Sequence, residues 1–202
     1  MENKKKLVKL ILNKENRNAV AFLKELKENS PSFEYSVARE KILLVETAKS
    51  LNEMVPAFYV DVKRLMVELF ENNLSLENAI DYLCRKVTES AKAEKQELFL
   101  KACDFIKENL LDSQLAVALV AEYVGLSQST LVKLFGDNLS ITPGDYIGKL
   151  RIEKSFSYLL ENLSIEKTSQ KVGFSSVEAY IRAFKKHTQL TPGVWKRKNL
   201  SL

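Results

Sequence analysis

The sequence predicts an all-α protein, and three observations support this fold class. All six glycines lie at or after Gly125, and Pro31 and Pro56 are the only prolines before that point. Apolar residues recur three or four positions apart along most of the chain, which is the spacing of a helix face. No segment alternates apolar and polar residues between turn residues, as a half-buried strand would.

The first part of the chain is predicted to fold as a separate helical domain, residues 1 to 94. Three apolar stripes are expected to face its core: Val20, Leu23 and Leu26; then Val37, Ile42, Val45 and Leu51; then Phe58, Val62, Leu65, Met66, Leu69 and Phe70. Ser75 is expected to cap a further helix. Residues 89 to 109 contain no glycine or proline, so the junction to the second domain, residues 95 to 202, is predicted to be helical.

Composition narrows the class of protein. Hydrophobic residues make up 46% and charged residues 28% of the chain, which is typical of globular domains. No stretch approaches the roughly 20 uncharged residues of a transmembrane helix, and residues 7 to 12, apolar except for Lys9, form too short a run for a signal-peptide core. We therefore expect a cytoplasmic protein that does not enter the membrane.

Side chains that could carry catalysis or hold a metal are scarce. The only cysteines, Cys84 and Cys103, have no second cysteine or histidine nearby, and His187 is the single histidine. We expect two reduced, half-buried thiols, no metal and no cofactor. An alkyl-accepting repair enzyme would need a more basic and ligand-rich cysteine than Arg85 and Lys86 provide next to Cys84.

An internal repeat emerges when the chain is compared with itself at an offset of 49 residues. Seven positions are then identical or chemically similar: Leu131 and Tyr180, Lys133 and Arg182, Phe135 and Phe184, Ile141 and Leu190, Thr142 and Thr191, Pro143 and Pro192, and Gly144 and Gly193. Upstream, residues 124 to 127 match residues 172 to 175 at an offset of 48, so the second copy has one extra residue in its turn.

Each copy has the pattern of a helix-turn-helix unit. The predicted units span about residues 116 to 137 and 164 to 187. Ser127 is expected to cap the second helix of the first unit, and Ser175 or Ser176 is expected to cap that of the second, where Ser175 with Glu178 fits a capping box. The connecting helix, about residues 143 to 161, would be about 27 Å long. Two copies in register make the motif far more specific than one.

The second helix of each unit has one apolar and one polar face. Expected to point inward are Leu131, Leu134 and Phe135 in the first, and Val177, Tyr180, Ala183 and Phe184 in the second. Outward positions hold Ser129, Thr130, Lys133 and Asp137 in the first, and Glu178, Arg182, Lys185 and Lys186 in the second. Residues 142 to 202 carry 11 basic and 5 acidic side chains, whereas residues 96 to 141 carry 3 and 6. The basic last third could attract phosphate or an acidic partner.

These motifs resemble those of the DNA-binding domain of AraC/XylS-type transcription regulators. The resemblance covers about residues 96 to 198 and rests on Leu126-Ser127, Leu131-Val132-Lys133-Leu134-Phe135, Leu150-Arg151, Val172-Gly173-Phe174, Arg182-Ala183-Phe184-Lys185-Lys186 and Leu190-Thr191-Pro192. It implies a seven-helix, two-lobed domain with two helix-turn-helix motifs joined by a long helix. The third and sixth helices of such a domain enter successive major-groove segments of double-stranded DNA.

The resemblance also assigns base-contacting positions. They fall on Gln128, Ser129, Val132 and Lys133 in the first lobe, and on Val177, Glu178, Ile181 and Arg182 in the second. Arginine and lysine can bond guanine, glutamate can accept from cytosine, and isoleucine or valine can touch a thymine methyl group. Together with the outward-facing Thr130, Lys185 and Lys186, these residues form the predicted DNA-binding site.

The sequence departs from the family pattern in two ways. Ser140 and Gln189 stand where glycine usually follows the recognition helix of each unit, which is the second helix of that unit. A positive φ at either residue would cost conformational free energy. Thr168 and Ser169 replace an apolar residue and an alanine, which puts polar groups on a buried face. Arg151, in the long helix, fits a structural ion pair and a phosphate contact equally well.

The sequence therefore predicts a bacterial transcription regulator, an activator rather than an enzyme, which the resemblance links to RNA polymerase. Residues 1 to 94 would form a homodimer or receive a signal, and they are similar to the helical segment that precedes the DNA-binding domain in some larger members. On that analogy a sensor domain would be missing from this chain. A protein-interaction module or anti-activator is the alternative, favoured by the net acidic first lobe.

Overall fold

The computed structural model describes residues 2–28 and 33–200, and every regular element in these ranges is an α-helix. The predicted all-α fold class is therefore confirmed. The chain divides into two compact units, Met1–Gln96 and Glu97–Leu202. None of the helices within the described ranges is long and apolar enough to span a membrane.

The first unit contains helices α1 (Glu2–Leu12), α2 (Asn16–Glu28), α3 (Phe33–Met54) and α4 (Val62–Phe70) and the beginning of α5 (Leu76–Glu108). Ser75 caps α5 as predicted, because its hydroxyl accepts a hydrogen bond from the Asn78 amide at 3.2 Å. Each of the five helices contributes to one apolar core, through residues such as Leu7, Leu23, Leu44, Leu69 and Leu83.

Part of the predicted N-terminal core is wrong. Phe58 is buried, but residues 55–61, between α3 and α4, are not helical. Helix α4 begins after Asp61, whose side chain accepts a hydrogen bond from the Arg64 amide. Three residues of the predicted stripes are exposed instead of buried, namely Ile42, Met66 and Phe70. The side chain of Val37 lies outside the described residues.

The second unit has seven helices: the end of α5, then α6 (Val117–Tyr123), α7 (Gln128–Leu139), α8 (Pro143–Leu160), α9 (Ile165–Lys171), α10 (Val177–Thr188) and α11 (Pro192–Leu200). They surround two separate apolar cores, which confirms the two-lobed architecture. Helices α5, α6 and α7 enclose the first core, and α9, α10 and α11 enclose the second. The connecting helix α8 contributes Ile147 to the first core and Ile152 to the second.

An aromatic cluster fills the second lobe. Phe156 of α8 stacks on Trp195 of α11 with ring centroids 4.7 Å apart. Phe184 of α10 meets Phe156 edge-on, with centroids 5.7 Å apart. Because aromatic side chains bury large apolar areas, this cluster fixes α10 against α8 and α11.

The departures from the family pattern have structural consequences. Ser140 and Gln189 end α7 and α10 with φ of 57° and 62°, so the predicted backbone cost is present at both turns. Thr168 and Ser169 are buried, also as predicted. The Ser169 hydroxyl donates to the Glu166 carbonyl at 2.8 Å. The Thr168 hydroxyl has no hydrogen-bond partner in the part of the chain that the structure describes.

Candidate nucleic-acid interface

The first helix-turn-helix unit presents α7 at the protein surface. Gly125 forms the turn with a φ of 69°. The Ser127 hydroxyl caps α7 by accepting a hydrogen bond from the Thr130 amide at 3.2 Å, as predicted. The three inward residues, Leu131, Leu134 and Phe135, are buried. The opposite face of α7 is therefore left to solvent.

The predicted site residues of α7 are all exposed: Gln128, Ser129, Thr130, Val132 and Lys133. The hydroxyls of Ser129 and Thr130 lie 2.9 and 2.8 Å from the Ser127 hydroxyl, so both take part in the hydrogen-bonded cap of the helix. Lys133 is the single cationic residue of α7, and it makes no ion pair with any described residue.

The second unit repeats this arrangement with a longer turn. Gly173 has a φ of 82°, and the Ser176 hydroxyl caps α10 by accepting a hydrogen bond from the Ala179 amide at 3.2 Å. The predicted capping box of Ser175 with Glu178 is wrong, because the extra residue in this turn moves the cap one position along the chain. Of the inward residues, Tyr180 and Phe184 are buried, and Val177 and Ala183 are half-buried.

The predicted site residues of α10 form a face and its edge. Glu178, Arg182 and Lys185 are exposed, and their spacing of four and three residues brings them to one side of the helix. Val177 and Ile181 are half-buried beside this face. Neither Arg182 nor Lys185 makes an ion pair within the described residues. The face offers two cationic groups and one carboxylate to a ligand.

Lys186 differs from its neighbour Lys185. Its ammonium forms an ion pair with the carboxylate of Asp145, in the first turn of α8. This hydrogen bond holds the pKa of the Asp145 carboxyl below its usual range. Sequence reasoning missed the pair, because no local pattern signals a contact between residues 41 positions apart.

Arg151 has neither of the two roles that the sequence left open. It is buried, and its guanidinium donates to the carbonyl oxygens of Leu110 at 2.9 Å and Asp112 at 2.7 Å. Its Cζ also lies 5.6 Å from the centroid of the Phe174 ring. Burial lowers the pKa of Arg151 from its ordinary value, although nearby Asp112 opposes this. The guanidinium is therefore enclosed by protein groups.

The cysteines offer no reactive centre. Both Cys84 and Cys103 are free thiols, and both are buried, which is deeper than predicted. Burial raises the pKa of the Cys84 thiol to about 11, and Asp81 adds to this effect. Within residues 2–28 and 33–200, no three His, Cys, Asp or Glu side chains are grouped so as to hold a metal ion.

Comparison with known proteins gives matches that include the second unit, and some of them are longer than this unit. A family described as a helix-turn-helix domain matches residues 120–198. The chain is 37% identical over 87 residues to the Msm operon regulatory protein of Streptococcus mutans, which covers 42% of this chain and 31% of that protein. It is 26% identical over 132 residues to the transcriptional regulatory protein HptR of Staphylococcus aureus, covering 65% of this chain and 50% of that protein.

A solved structure is also similar. The C-terminal domain of the two-component response regulator yesN from Fusobacterium nucleatum is 32% identical, with a TM-score of 0.44, and the match covers 47% of this chain and 93% of that domain. The chain spans between 10% and 50% of the length of the first curated relatives that it matches.

Proposed function

Because residues 120–198 form a helix-turn-helix domain of the AraC type, we propose that this chain is a sequence-specific transcription regulator that inserts α7 and α10 into successive major-groove segments of double-stranded DNA. The domain is that of a DNA-binding transcription factor and not of an enzyme. The repeated unit is the main support for this proposal. Each recognition helix is capped and packs through a buried apolar face, and each exposes a cation, Lys133 or Arg182, at the same position.

The length of α8 supports binding at two sites on one duplex. Its 18 residues span about 27 Å, since each helical residue adds about 1.5 Å. One turn of DNA is about 34 Å long, so a connecting helix of this length is of the right order to place two recognition helices on the same face of the duplex one turn apart.

The second lobe is expected to supply most of the sequence recognition. The exposed guanidinium of Arg182 can donate two hydrogen bonds to O6 and N7 of one guanine. Glu178, one helical turn earlier, can accept from a cytosine amino group, and the half-buried Ile181 can touch a thymine methyl group. Lys185, one turn later on the same face, can reach a phosphate.

The first lobe is expected to read fewer bases. Ser129 is short and hydrogen-bonded within the cap of α7, and Lys133 carries a single ammonium without the fixed geometry of a guanidinium. Residues 96 to 141 also carry 6 acidic and 3 basic side chains, which weakens attraction to phosphate. Gln128 and Val132 are the other exposed residues of this face that can touch base edges.

The first unit is proposed to form a homodimer or to receive a signal. Helix α4 exposes three large apolar side chains, Met66, Val67 and Phe70, which are 42% to 45% exposed. A second copy of the chain could cover this face. In sedimentation of the whole chain we expect a concentration-dependent dimer that Met66→Glu weakens, whereas Arg64→Glu, at an exposed position on another face of the same helix, does not. A monomer at all concentrations would leave only the signal-receiving role.

The regulator is further proposed to activate transcription in the bacterial cytoplasm by contacting RNA polymerase beside its bound site. Activation is the usual mode of regulators with this type of domain. Transcription with purified polymerase, from a template that carries the bound site, should rise when the protein is added. The Arg182→Ala variant should not raise it. A fall in transcription would identify a repressor.

Selection of bound DNA from a random pool tests the proposed function directly. We expect enrichment of a site with two conserved segments about one helical turn apart, and an affinity that falls steeply with salt. Failure to enrich any sequence, by a chain that is folded by circular dichroism, would favour a protein-interaction module instead.

A further inference from the structure

The two lobes of the second unit touch at a point away from their recognition helices. Residues 110–112 follow α5 and precede the first helix-turn-helix unit, and they lie against the turn of the second unit. At this contact a Cβ built on Gly173 would lie 2.9 Å from the carbonyl oxygen of Leu111 and 3.0 Å from its carbonyl carbon. It would also lie 3.1 Å from Nη2 of Arg151. Glycine is therefore required here by both the close approach and the φ of 82°.

Arg151, within α8, contacts both of these segments. Its Nε and Nη2 donate to the carbonyl oxygens of Leu110 and Asp112 on the first-lobe side. The guanidinium also packs on Phe174 on the second-lobe side. Because a buried guanidinium that loses its acceptors is costly to leave unpaired, this contact favours a single geometry.

Because of the position of Arg151 along α8, this contact restrains the angle between the lobes. Four residues earlier, Ile147 belongs to the core of the first lobe, and one residue later, Ile152 belongs to the core of the second. Arg151 thus lies on α8 between the residues that this helix contributes to the two cores. Rotation of one lobe about α8 would pull the Leu110 and Asp112 carbonyls away from the guanidinium or move the Gly173 turn away from Leu111.

We propose that Arg151 and Gly173 are positioning residues that fix the separation and angle between α7 and α10, and thereby set the spacing between the two DNA segments that the protein accepts. The DNA part of this inference rests on the proposed function. Inserting one base pair between the segments shifts them by about 3.4 Å and rotates them by about 35°. Lobes held in one geometry cannot follow that change, whereas loosely joined lobes can.

The chain supplies matched variants. Gly125 is the equivalent glycine of the first unit, with a φ of 69° and no atom within 4 Å of a built Cβ. Gly173→Ala and Gly125→Ala therefore add similar backbone strain, but only Gly173→Ala forces Leu111 away. Arg151→Met removes both donors to the first-lobe carbonyls. Its control is Lys154→Met, at an exposed position on the same helix.

The first test measures the geometry without DNA. Spin labels are attached at Asp137→Cys on α7 and Lys185→Cys on α10, in a chain whose native cysteines are replaced by alanine, and their separation is measured by double electron-electron resonance. We expect a narrow distance distribution in the parent and in the Gly125→Ala and Lys154→Met controls, and a broad or shifted one in Gly173→Ala and Arg151→Met. If Arg151→Met loses its helical content, Gly173→Ala decides.

The second test measures spacing on selected DNA. The parent chain should lose at least about fivefold in affinity when one base pair is inserted between the two segments, as for the loss of one good base contact. For Gly173→Ala and Arg151→Met, the ratio of the affinity for the original site to the affinity for the site with the inserted base pair should fall towards one. Equally narrow distances, or an unchanged ratio, in folded variants would overturn the inference. A narrow parent distribution without any DNA binding would instead contradict the proposed function.

Discussion

Lys186, in the last turn of α10, forms an ion pair with Asp145, in the first turn of α8. The pair ties the second recognition helix to the start of the connecting helix. The adjacent Lys185 is exposed and makes no ion pair within the described residues. Two neighbouring lysines of the basic last turn are therefore expected to act differently towards DNA: Lys185 as a phosphate contact, and Lys186 as a brace between helices.

Salt dependence separates these two roles. Lys185→Ala should reduce the slope of log affinity against log salt by about one unit, because one phosphate contact and its released counterion are lost. Lys186→Ala should change the slope less, since its ammonium is already neutralised by Asp145. Asp145→Asn should steepen the slope by freeing Lys186. Fluorescence anisotropy on the selected site measures all three, and equal losses for both lysines would show that the ion pair breaks on DNA.

The buried hydroxyl of Thr168 is expected to destabilise the second lobe. It is fully buried and without a hydrogen-bond partner among the described residues, so Thr168→Val should raise the free energy of unfolding by about 1 kcal/mol or more. The adjacent Ser169 is the control, because its hydroxyl is bonded to the Glu166 carbonyl and Ser169→Ala should give no such gain. Urea denaturation measures both, and a destabilising Thr168→Val would mean that the hydroxyl has a partner.

The ends of both recognition helices store backbone strain. Ser140 and Gln189 have positive φ, so Ser140→Gly and Gln189→Gly should each stabilise the chain by up to about 1 kcal/mol. Asp137→Gly, inside α7, should instead destabilise it by a similar amount, since glycine there gains nothing from its freedom. Thermal unfolding followed by circular dichroism should show the opposite signs. Destabilisation by all three would indicate that the two turns carry no strain.

The Cys84 thiol should be unreactive in the folded chain. Its pKa is raised to about 11, so at pH 8 it is almost entirely protonated and is also buried. Because the unfolded thiol ionises at lower pH, Cys84 should reduce stability as the pH rises through 9 towards 11, and Cys84→Ala should lessen that loss. Iodoacetamide labelling should be slow in native protein and fast in urea. Rapid native labelling would contradict the burial of this thiol and reopen the repair-enzyme alternative.

Local patterns account for what the sequence predicted well. The Ser127 cap and the buried Leu131 and Phe135 depend on neighbours within one or two helical turns, and the repeat supplied them twice. In the second unit the sequence offered both Ser175 and Ser176 as caps; the cap is Ser176, and only the capping box of Ser175 with Glu178 failed, because of the extra residue in the turn.

Distant contacts account for what was missed. The partners of Arg151 are backbone carbonyls, which every residue has, so no side-chain pattern marks them. The contact of Gly173 with Leu111 likewise depends on how α8 brings two turns together. Met66 and Phe70 have the spacing of an apolar helix face, but only part of that face of α4 packs against the core. Spacing alone does not show which part is buried.

Comparison of Arg182→Ala with Lys133→Ala tests whether α10 reads bases through Arg182. On the selected site, Arg182→Ala should cost about 1 to 3 kcal/mol and relax the preference at one base pair, while its affinity for random DNA changes much less. Lys133→Ala should cost less and more evenly across sequences. If both variants kept their helical content and lost the same affinity on selected and random DNA, neither residue would read bases and the assignment of this face would be wrong.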